Sequence, residues 1–517
     1  MRQSKSLTSP LTTFALSPLT AAVLLLVAVG VVLSLPAAAQ GQHAVAVEAP
    51  YTFGDWASAQ GYEPGDPLPQ TVRCAYSSPS ITDLDGIGDY DWNDTPSTFL
   101  ILSFNNISTI ESGAFSGLTN LAAMDMRNND IGSIESGDFN GLPELTSLLL
   151  DNNSISSIES SAFSELTNLT VLRLGSNNFS SIEAGDFNGL ANLTELWLHN
   201  NSISSIESGA FSRLTKMYHL SLNHNSISSL ESNAFNGLAN LGSLDLSYNQ
   251  ISSLESDDFS GLTNLVAINL SFNQISSLES DDFSRLTNLT SLTLNSNKLS
   301  SIESGAFSGL TNLTSLVLSN NQISNIESGA FSELPNLARL SLDGNFGLTQ
   351  LNLEEADLSH LVYLSVSATS ISSVSLRNAV LNQTSLEILF HPNYPSLAGL
   401  PGITEFDLSG VDFSQITDLS PIGVMDDITD LWMLDVANID AVELDALLDE
   451  LSAMEDPAAE GVLYLTQADY DALNADGGGL LAIWDAESGH HVQIVPEPAT
   501  MTLLALGGLA ILRKRRK

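Results

Sequence analysis

One stretch of sequence decides the fold, because the chain repeats it: Leu241-Gly-Ser-Leu-Asp-Leu-Ser-Tyr-Asn-Gln-Ile-Ser-Ser-Leu-Glu-Ser-Asp-Asp-Phe-Ser-Gly-Leu-Thr-Asn264. Its asparagine recurs at one constant interval, the length of this unit, and so does its phenylalanine. The asparagines are Asn105, Asn129, Asn153, Asn177, Asn201, Asn225, Asn249, Asn273, Asn297, Asn321 and Asn345. The phenylalanines are Phe115, Phe139, Phe163, Phe187, Phe211, Phe235, Phe259, Phe283, Phe307 and Phe331. Self-similarity at such a period is typical of a solenoid.

Each fixed position of the unit has a physical role. Leu244 and Leu246 alternate with a polar residue, as in a β-strand with one buried face. Asn249 follows where the chain must turn out of the strand, and a buried turn needs hydrogen-bond partners. The remaining apolar positions fill the coil: Ile251, Leu254, Phe259 and Leu262. A single coil cannot bury this face alone, so we expect stacked coils whose strands form a parallel sheet at about 4.8 Å spacing.

Over residues 97–348 this pattern resembles the leucine-rich-repeat family in its 24-residue form. The resemblance implies an α/β fold, a right-handed leucine-rich-repeat solenoid. It has a curved parallel β-sheet on the concave side, short turns or 3₁₀ segments on the convex side, and small terminal caps. It also implies that the asparagine side chains bond backbone groups inside the coil and form a structural asparagine ladder.

The repeat pattern decays after Asn345 but keeps its phase, with Thr369 and Asn393 in the next two asparagine positions. Further coils are indicated at 406–408 and 431–436, which brings the expected total to about fourteen. The predicted organisation is a signal peptide at 1–39, an N-terminal cap at 40–96, regular repeats at 97–348, degenerate repeats at 349–440, a C-terminal α/β cap at 441–494 and a sorting segment at 495–517.

The predicted N-terminal cap resembles that of the family only in part. The stretch around Val72 and Cys74, then Ile81 and the segment 95–102, leads into the first coil. That cap normally carries disulfides. Cys74 is the single cysteine of the chain, which excludes an intramolecular disulfide and a cysteine-based zinc site. We expect Cys74 to serve in packing.

Residues 1–39 have the features of a secretory signal peptide. Arg2 and Lys5 precede an apolar run from Ala21 to Leu35, and Ala37–Ala39 offers a small-residue cleavage site. An uncleaved anchor helix is the alternative.

The C-terminal end carries three features in order: Pro496-Glu497-Pro498, an apolar segment from Met501 to Leu512, and the basic tail 513–517. Together they resemble the PEP-CTERM sorting signal of Gram-negative bacteria. The resemblance implies an exosortase as partner and export to the cell surface. It also implies contact with the inner membrane, at least transiently, through the C-terminal helix. A plain tail anchor is the alternative, although the apolar segment is short for a full span.

The composition limits the partners. With 16 basic and 60 acidic residues the chain has a formal net charge of −44, which repels nucleic acid and anionic lipid. Hydrophobic residues make up 43% of the chain and recur periodically, which excludes general disorder.

No pattern points to catalysis, a cofactor or a firm metal site, so the sequence predicts no enzyme. One acidic column recurs once in every repeat: Glu111, Glu135, Glu159, Glu183, Glu207, Glu231, Glu255, Glu279, Glu303 and Glu327. A weak association with Ca²⁺ is one reading of this column. The other is a solvated edge whose glutamates bond local turn backbone.

The outward strand positions of the fifth to seventh coils differ from those of the other coils, which mostly carry Ser, Thr, Asn or Ala. Alternate residues of a strand share one face, so these side chains form one patch on the concave side. The patch comprises Glu195, Trp197, His199, His219, Ser221, Asn223, His224, Asp245 and Tyr248. Aromatic and hydrogen-bonding groups together suit a glycan or a peptide. The alternative is random variation at unconstrained surface positions.

Two functions therefore stand side by side. The first is a non-catalytic secreted or cell-surface protein that binds a protein or polysaccharide through its concave face. The second is a structural scaffold of the envelope, extracellular matrix or biofilm, which the uniform surface of the other coils favours. The sequence names no ligand.

Overall fold

The computed structural model describes residues 51–66, 71–75, 80–87, 90, 99–367, 369–381, 389, 405–408, 411, 430–432, 462–466 and 491–495. All of them belong to one compact unit, Pro50–Lys517. The predicted signal peptide, the Asn393 position, the helices of the predicted C-terminal cap and the apolar segment 501–512 lie outside the described residues. Among the residues described, no helix is long and apolar enough to cross a membrane.

The main element is a parallel sheet of thirteen short strands, called here the first sheet. Its strands are β1 Thr71–Arg73, β2 Phe99–Ile101, β3 Ala123–Asp125, β4 Ser147–Leu149, β5 Val171–Arg173, β7 Glu195–Trp197, β9 His219–Ser221, β10 Ser243–Asp245, β11 Ala267–Asn269, β12 Ser291–Thr293, β14 Ser315–Val317, β16 Arg339–Ser341 and β18 Tyr363–Ser365. Two pairs of two-residue strands lie elsewhere on the coils: β6 Ser181–Ile182 with β8 Ser205–Ile206, and β13 Ser301–Ile302 with β15 Asn325–Ile326.

The register of the first sheet follows the repeat. Leu244 pairs with Leu220 on one side and with Ile268 on the other, and each partner holds the equivalent position of the adjacent repeat. These central residues are buried, whereas the residues on either side of them point outward. The predicted fold is confirmed: the chain forms a parallel-sheet solenoid of about 12 turns. The outward-pointing side chains of the first sheet form its concave face.

The phenylalanine column packs as a buried spine inside the coils, with its rings stacked in runs of two or three. The rings of Phe115 and Phe139 stack with their centroids 6.2 Å apart, and those of Phe139 and Phe163 with theirs 5.9 Å apart. All of these rings are buried. Burial of a phenylalanine side chain contributes roughly 1.5 to 3 kcal/mol, so the spine is a large share of what holds successive coils together.

The eleven repeated asparagines form a ladder of hydrogen bonds to the backbone. Asn249 is typical: its Nδ2 donates to the carbonyl oxygens of Leu246 in its own coil and Leu222 in the preceding coil, both at 3.0 Å. Its Oδ1 accepts from the Ile227 amide at 3.0 Å. Each asparagine thereby joins two coils and satisfies backbone groups that the turn would otherwise leave unpaired.

The N-terminal end adds a helix and a strand before the first asparagine coil. Helix α1, Phe53–Ala59, begins with a capping box between Thr52 and Asp55. Strand β1 pairs with β2, and Cys74 then occupies the buried position that Leu102 holds one coil later. Burial raises the pKa of the Cys74 thiol, so this cysteine is a packing residue.

A second parallel sheet begins where the repeat becomes irregular. Its strands are β17 Gln350–Asn352, β19 Ser373–Ser375, β20 Glu405–Asp407, β21 Asp430–Trp432, β22 Val462–Thr466 and β23 His491–Val495.

The expected coils at 406–408 and 431–436 do contain strands, but these strands extend the second sheet and not the first. The second sheet already begins with β17 and β19, and β20 pairs with β19. The first sheet receives one strand from each regular repeat, whereas β20 begins well beyond one repeat length after β19, as the pairing of Ser373 with Glu405 shows.

Candidate functional site

The predicted patch lies on three adjacent strands, β7, β9 and β10, and the structure divides it in two. Three of its residues, Glu195, His199 and His219, gather around the Trp197 indole ring in the middle of the concave face. Ser221 and Asp245 continue the row of Trp197 on the next two strands, and Asn223, His224 and Tyr248 lie where the strands turn into the asparagine ladder.

The first group is called here the Trp197 cluster: Arg173, Glu195, Trp197, His199 and His219. The Trp197 and His219 ring centroids are 4.4 Å apart, and those of Trp197 and His199 are 6.1 Å apart in an edge-on arrangement. The Arg173 guanidinium carbon lies 5.4 Å from the centroid of the indole, a cation–π contact. The Glu195 carboxylate accepts a hydrogen bond from the Trp197 side chain.

Buried polar atoms without a hydrogen-bond partner concentrate at this cluster. Among the described residues there are six such atoms, and five of them lie on the concave face in the third to sixth coils. They are Ser147 Oγ, Asp151 Oδ2, Arg173 Nε, His199 Nδ1 and His219 Nε2. Arg173 Nε and Asp151 Oδ2 face each other at 3.0 Å as an ion pair, but outside hydrogen-bond geometry. Buried polar groups are normally hydrogen-bonded, so this concentration requires a specific explanation.

Burial also shifts the pKa of three side chains in the Trp197 cluster. It lowers the pKa of His199 and of His219, against the nearby charge of Asp245, which raises both. Burial raises the pKa of Glu195, although its hydrogen bond with Trp197 and the charge of Arg173 act in the opposite direction. The two imidazoles are therefore neutral at neutral pH, and each offers one donor and one acceptor.

A glycine makes room for one of these rings. Gly175 precedes His199 by one coil, and a Cβ at Gly175 would lie 2.3 Å from the His199 ring. Gly175 does not have a positive φ, so the backbone does not require glycine there. The missing side chain is what allows the imidazole to lie over the backbone of the neighbouring strand.

The rest of the predicted patch is satisfied by local contacts. Asn223 accepts a hydrogen bond from Ser221 at 2.6 Å, and Asp245 accepts one from Ser247 at 2.7 Å. At the edge, the rings of His224 and Tyr248 stack with their centroids 4.1 Å apart.

The same stack continues from Tyr248 to Phe272, again at 4.1 Å. Stacking covers the ring faces within this row, so it presents mainly ring edges to a ligand.

Four residues near the cluster were not predicted from the sequence: Ser147, Asp151, Arg173 and Tyr218. The repeat register could have revealed Arg173, because it pairs directly with Trp197. The burial of Ser147 and Asp151 could not have been found in this way. It depends on the direction in which the long side chains of neighbouring coils lie across the sheet.

The glutamates of the acidic column differ in their hydrogen-bond partners. Three of its glutamates accept a hydrogen bond from a backbone amide of the preceding coil: Glu159 from Ser136 at 2.9 Å, Glu207 from Ala184 at 3.0 Å and Glu327 from Ser304 at 3.0 Å. These contacts fit the reading of an edge that bonds turn backbone. No group of three or more potential metal ligands occurs among the described residues, so the weak Ca²⁺ association stays a prediction.

Four aspartates beside this column are buried: Asp138, Asp186, Asp258 and Asp282. Each accepts a hydrogen bond from the backbone amide of the glutamate three residues earlier, at 2.8 to 2.9 Å. The pKa of each is raised to about 6. Burial is the main cause and neighbouring carboxylates add to it, while the backbone hydrogen bond acts in the opposite direction.

Comparison with known proteins agrees with this geometry. A family model described as leucine rich repeat matches residues 98–155, 143–203, 191–251, 240–299 and 287–345. Residues 98–345 are therefore leucine-rich repeats. A second family model, the PEP-CTERM protein-sorting motif, matches residues 495–517, so the chain also carries an export and sorting signal at its C-terminal end.

Among solved structures, the chain is similar to an internalin from Listeria monocytogenes at 23% identity, with a TM-score of 0.38. The match covers 66% of this chain and 86% of the internalin. No curated protein matches the chain.

Proposed function

We propose that this protein is an exported, non-catalytic scaffold that binds a protein ligand at the cell surface, and that the Trp197 cluster is its main contact. The leucine-rich repeats support the protein-binding role, and the PEP-CTERM motif supports the location. Polysaccharide is the alternative ligand for the same face.

One observation carries the choice of site: three buried side-chain atoms on the concave face have no partner. His199 Nδ1 and His219 Nε2 lie beside the Trp197 ring, and Ser147 Oγ lies two strands away, with the poorly aligned Arg173–Asp151 ion pair between. Leaving a buried donor or acceptor unpaired costs about 1 to 3 kcal/mol. A ligand that supplies the missing hydrogen bonds would recover that cost on binding. The indole ring adds a large contact area at the centre, where interface energy concentrates.

The test compares ligands retained by the mature chain and by the variants Trp197→Ala, His199→Ala and His219→Ala. Immobilised proteins are exposed to surface extracts and to a panel of purified polysaccharides. We expect each of the three variants to lose the protein that the wild type retains, with a loss of at least tenfold in affinity, the usual effect of removing a central contact.

A matched control is Phe272→Ala, which removes an aromatic residue from the edge stack outside the cluster. It should retain the ligand. Equal binding by wild type and Trp197→Ala would exclude the cluster as the site. Retention of a polysaccharide alone, lost in Trp197→Ala, would replace the protein ligand by a glycan.

The sorting role is tested separately by removing residues 495–517. We propose that an exosortase recognises Pro496-Glu497-Pro498, and that the apolar segment 501–512 contacts the inner membrane during sorting. The truncated protein should accumulate in the periplasm instead of reaching the surface. An unchanged distribution after cell fractionation would contradict this proposal.

A structural role in the envelope or matrix is the second candidate, and one observation favours it. A second row of asparagines links successive coils outside the core, as in Asn264 to Ala239 and Asn288 to Thr263, both at 2.8 Å. Such cross-linking stiffens a long solenoid whether or not it binds a ligand.

A further inference from the structure

Tyr218 is an exposed aromatic residue that the predicted patch did not include. It immediately precedes β9, next to His219 of the Trp197 cluster, and 54% of its surface is accessible. A Cβ at Gly242, one coil later, would lie 2.4 Å from the Tyr218 ring. The ring therefore lies against the backbone of Gly242, with its outer side open to solvent.

Glycine at position 242 makes room for the Tyr218 ring and is not required by its own backbone conformation. It does not have a positive φ, so another residue could adopt its conformation. At the same position other coils carry threonine, as in Thr194 and Thr290, whose hydroxyls donate to carbonyl oxygens one coil earlier. A threonine at 242 would fit the solenoid but would displace the ring.

Two aromatic rings on the concave face already contact arginine side chains of the chain itself. Arg173 lies over Trp197, and Arg339 lies 5.9 Å from the ring centroid of Tyr363. In both pairs the arginine is one coil before the ring, at the same strand position. The residue one coil before Tyr218 is Thr194, which supplies no charge.

The surroundings of Tyr218 favour a positive group. The strands on either side of β9 each carry a carboxylate. Glu195 pairs with His219, the residue after Tyr218, and Asp245 pairs with Ser221, further along the same strand. In the described part of the chain the ion pairs are Arg127–Asp125 and Arg173–Asp151, so neither carboxylate has a salt-bridge partner there. The net charge of −44 attracts a basic partner from a distance.

We propose that Tyr218, held flat over Gly242, receives a guanidinium or ammonium group from a basic segment of the protein partner. This inference rests on the proposed function and specifies its ligand: a protein whose contact segment carries arginine or lysine. The cation stacks on the Tyr218 ring while Glu195, the nearer of the two carboxylates, balances its charge.

The test uses a blocked octapeptide of alternating arginine and serine, and the same peptide with neutral citrulline in place of arginine. Binding to the mature protein is measured by calorimetry at moderate salt. Tyr218→Leu should weaken the arginine peptide about fivefold, the effect of losing one exposed cation–π contact. Gly242→Thr should weaken it equally, and Tyr218→Phe should bind within twofold of wild type because the ring remains.

Two control variants separate this effect from general attraction to an acidic protein. Phe346→Leu removes an aromatic residue that is 72% exposed outside the concave cluster. Gly132→Ser alters a glycine of ordinary backbone whose Cβ would meet open space. Both should bind the arginine peptide like wild type.

The inference is overturned if Tyr218→Leu binds like wild type, or if the citrulline peptide binds as tightly as the arginine peptide. It is also overturned if a neutral oligosaccharide binds and Tyr218→Leu abolishes that binding. The proposed function fails differently, through Trp197→Ala. If Trp197→Ala loses the natural partner while the Tyr218 variants keep it, the cation site at Tyr218 is rejected and the proposed function stands.

Discussion

Asn249 illustrates how a single residue position holds this fold together. Its side-chain amide donates to three backbone carbonyls and accepts from one backbone amide, and all four partners are buried. A leucine in its place could fill the space but could not satisfy those groups. The repeat therefore keeps asparagine at each of these turns, which the sequence alone already indicated.

We expect Asn249→Ala to lower the free energy of unfolding by about 2 to 4 kcal/mol, because several buried backbone groups lose their partners. Urea unfolding followed by circular dichroism measures the loss. Asn288→Ala is the control, since Asn288 is exposed and donates to Thr263 alone. This variant should lose less than about 1 kcal/mol of stability. Equal losses in the two variants would show that the buried asparagine ladder stabilises the fold no more than the exposed asparagines do.

The buried aspartates predict an unusual pH dependence. Asp258 and Asp282 have a pKa of about 6 in the folded state, above the value of about 3.9 expected in the unfolded chain. The folded state then binds these protons more tightly. The contribution of both groups to stability is therefore greatest at low pH and is lost as the pH rises through about 6.

We expect the melting temperature of the wild type to rise as the pH falls from 7.5 to 5. The double variant Asp258→Ala, Asp282→Ala should melt higher at pH 7.5 and show a smaller rise, because Asp138 and Asp186 keep their raised pKa. Each removed carboxyl accounts for about 1 to 3 kcal/mol. Other coils carry alanine at this position, for example Ala306. The control is Asp257→Ala with Asp281→Ala, at exposed neighbours. Parallel pH curves for the two double variants would refute the assignment.

At the scale of strands and coils, small residues decide where large ones lie. Gly175 and Gly242 both have ordinary backbone conformations and both accommodate a ring from the adjacent coil. A sequence pattern marks such glycines only as deviations from serine or threonine. Their role depends on side-chain directions across neighbouring strands, which the pattern does not contain.

Gly175→Ser should displace the His199 ring towards solvent. The pKa of His199 should then rise towards its ordinary value, because burial is the main cause that lowers it. The pKa of His219 should stay low. NMR titration of the imidazole protons measures both values. Gly132→Ser is the control that should leave both unchanged, and an unaltered His199 in Gly175→Ser would contradict the role given to the glycine.

The strands also show where sequence reasoning stopped. The first sheet was predicted from Leu-x-Leu alternation, and its register was fixed by the constant period of the repeat. The strands at 405–407 and 430–432 were expected as coils, but their sheet was not foreseen. Once the spacing departs from that period, it no longer says which edge a strand will join.

For the whole molecule, the repeat makes coils interchangeable. Removal of residues 265–288 joins Asn264 to Leu289 and keeps the register of strands, asparagines and phenylalanines. We expect this deletion to fold with the same circular dichroism per residue and a slightly lower stability, because each coil contacts only its neighbours.

A slightly shorter deletion, of residues 265–284, is the control. It breaks the register and should lower the melting temperature sharply, by about 10 °C or more, as expected for losing several buried contacts. Equal stability of the two deletions would mean that coil register does not govern the fold.

The sequence by itself determined the solenoid, its period, its buried columns and its sorting signal, because each is written in local spacing that stacking merely repeats. It also marked the concave strands around Trp197 as unusual. Only the tertiary structure decided which of those residues act together. The Trp197 cluster, the edge stack and the Tyr218 ring are separated by which way side chains lean between coils. That direction depends on the space left by the equivalent residues of the adjacent coil, far away along the chain.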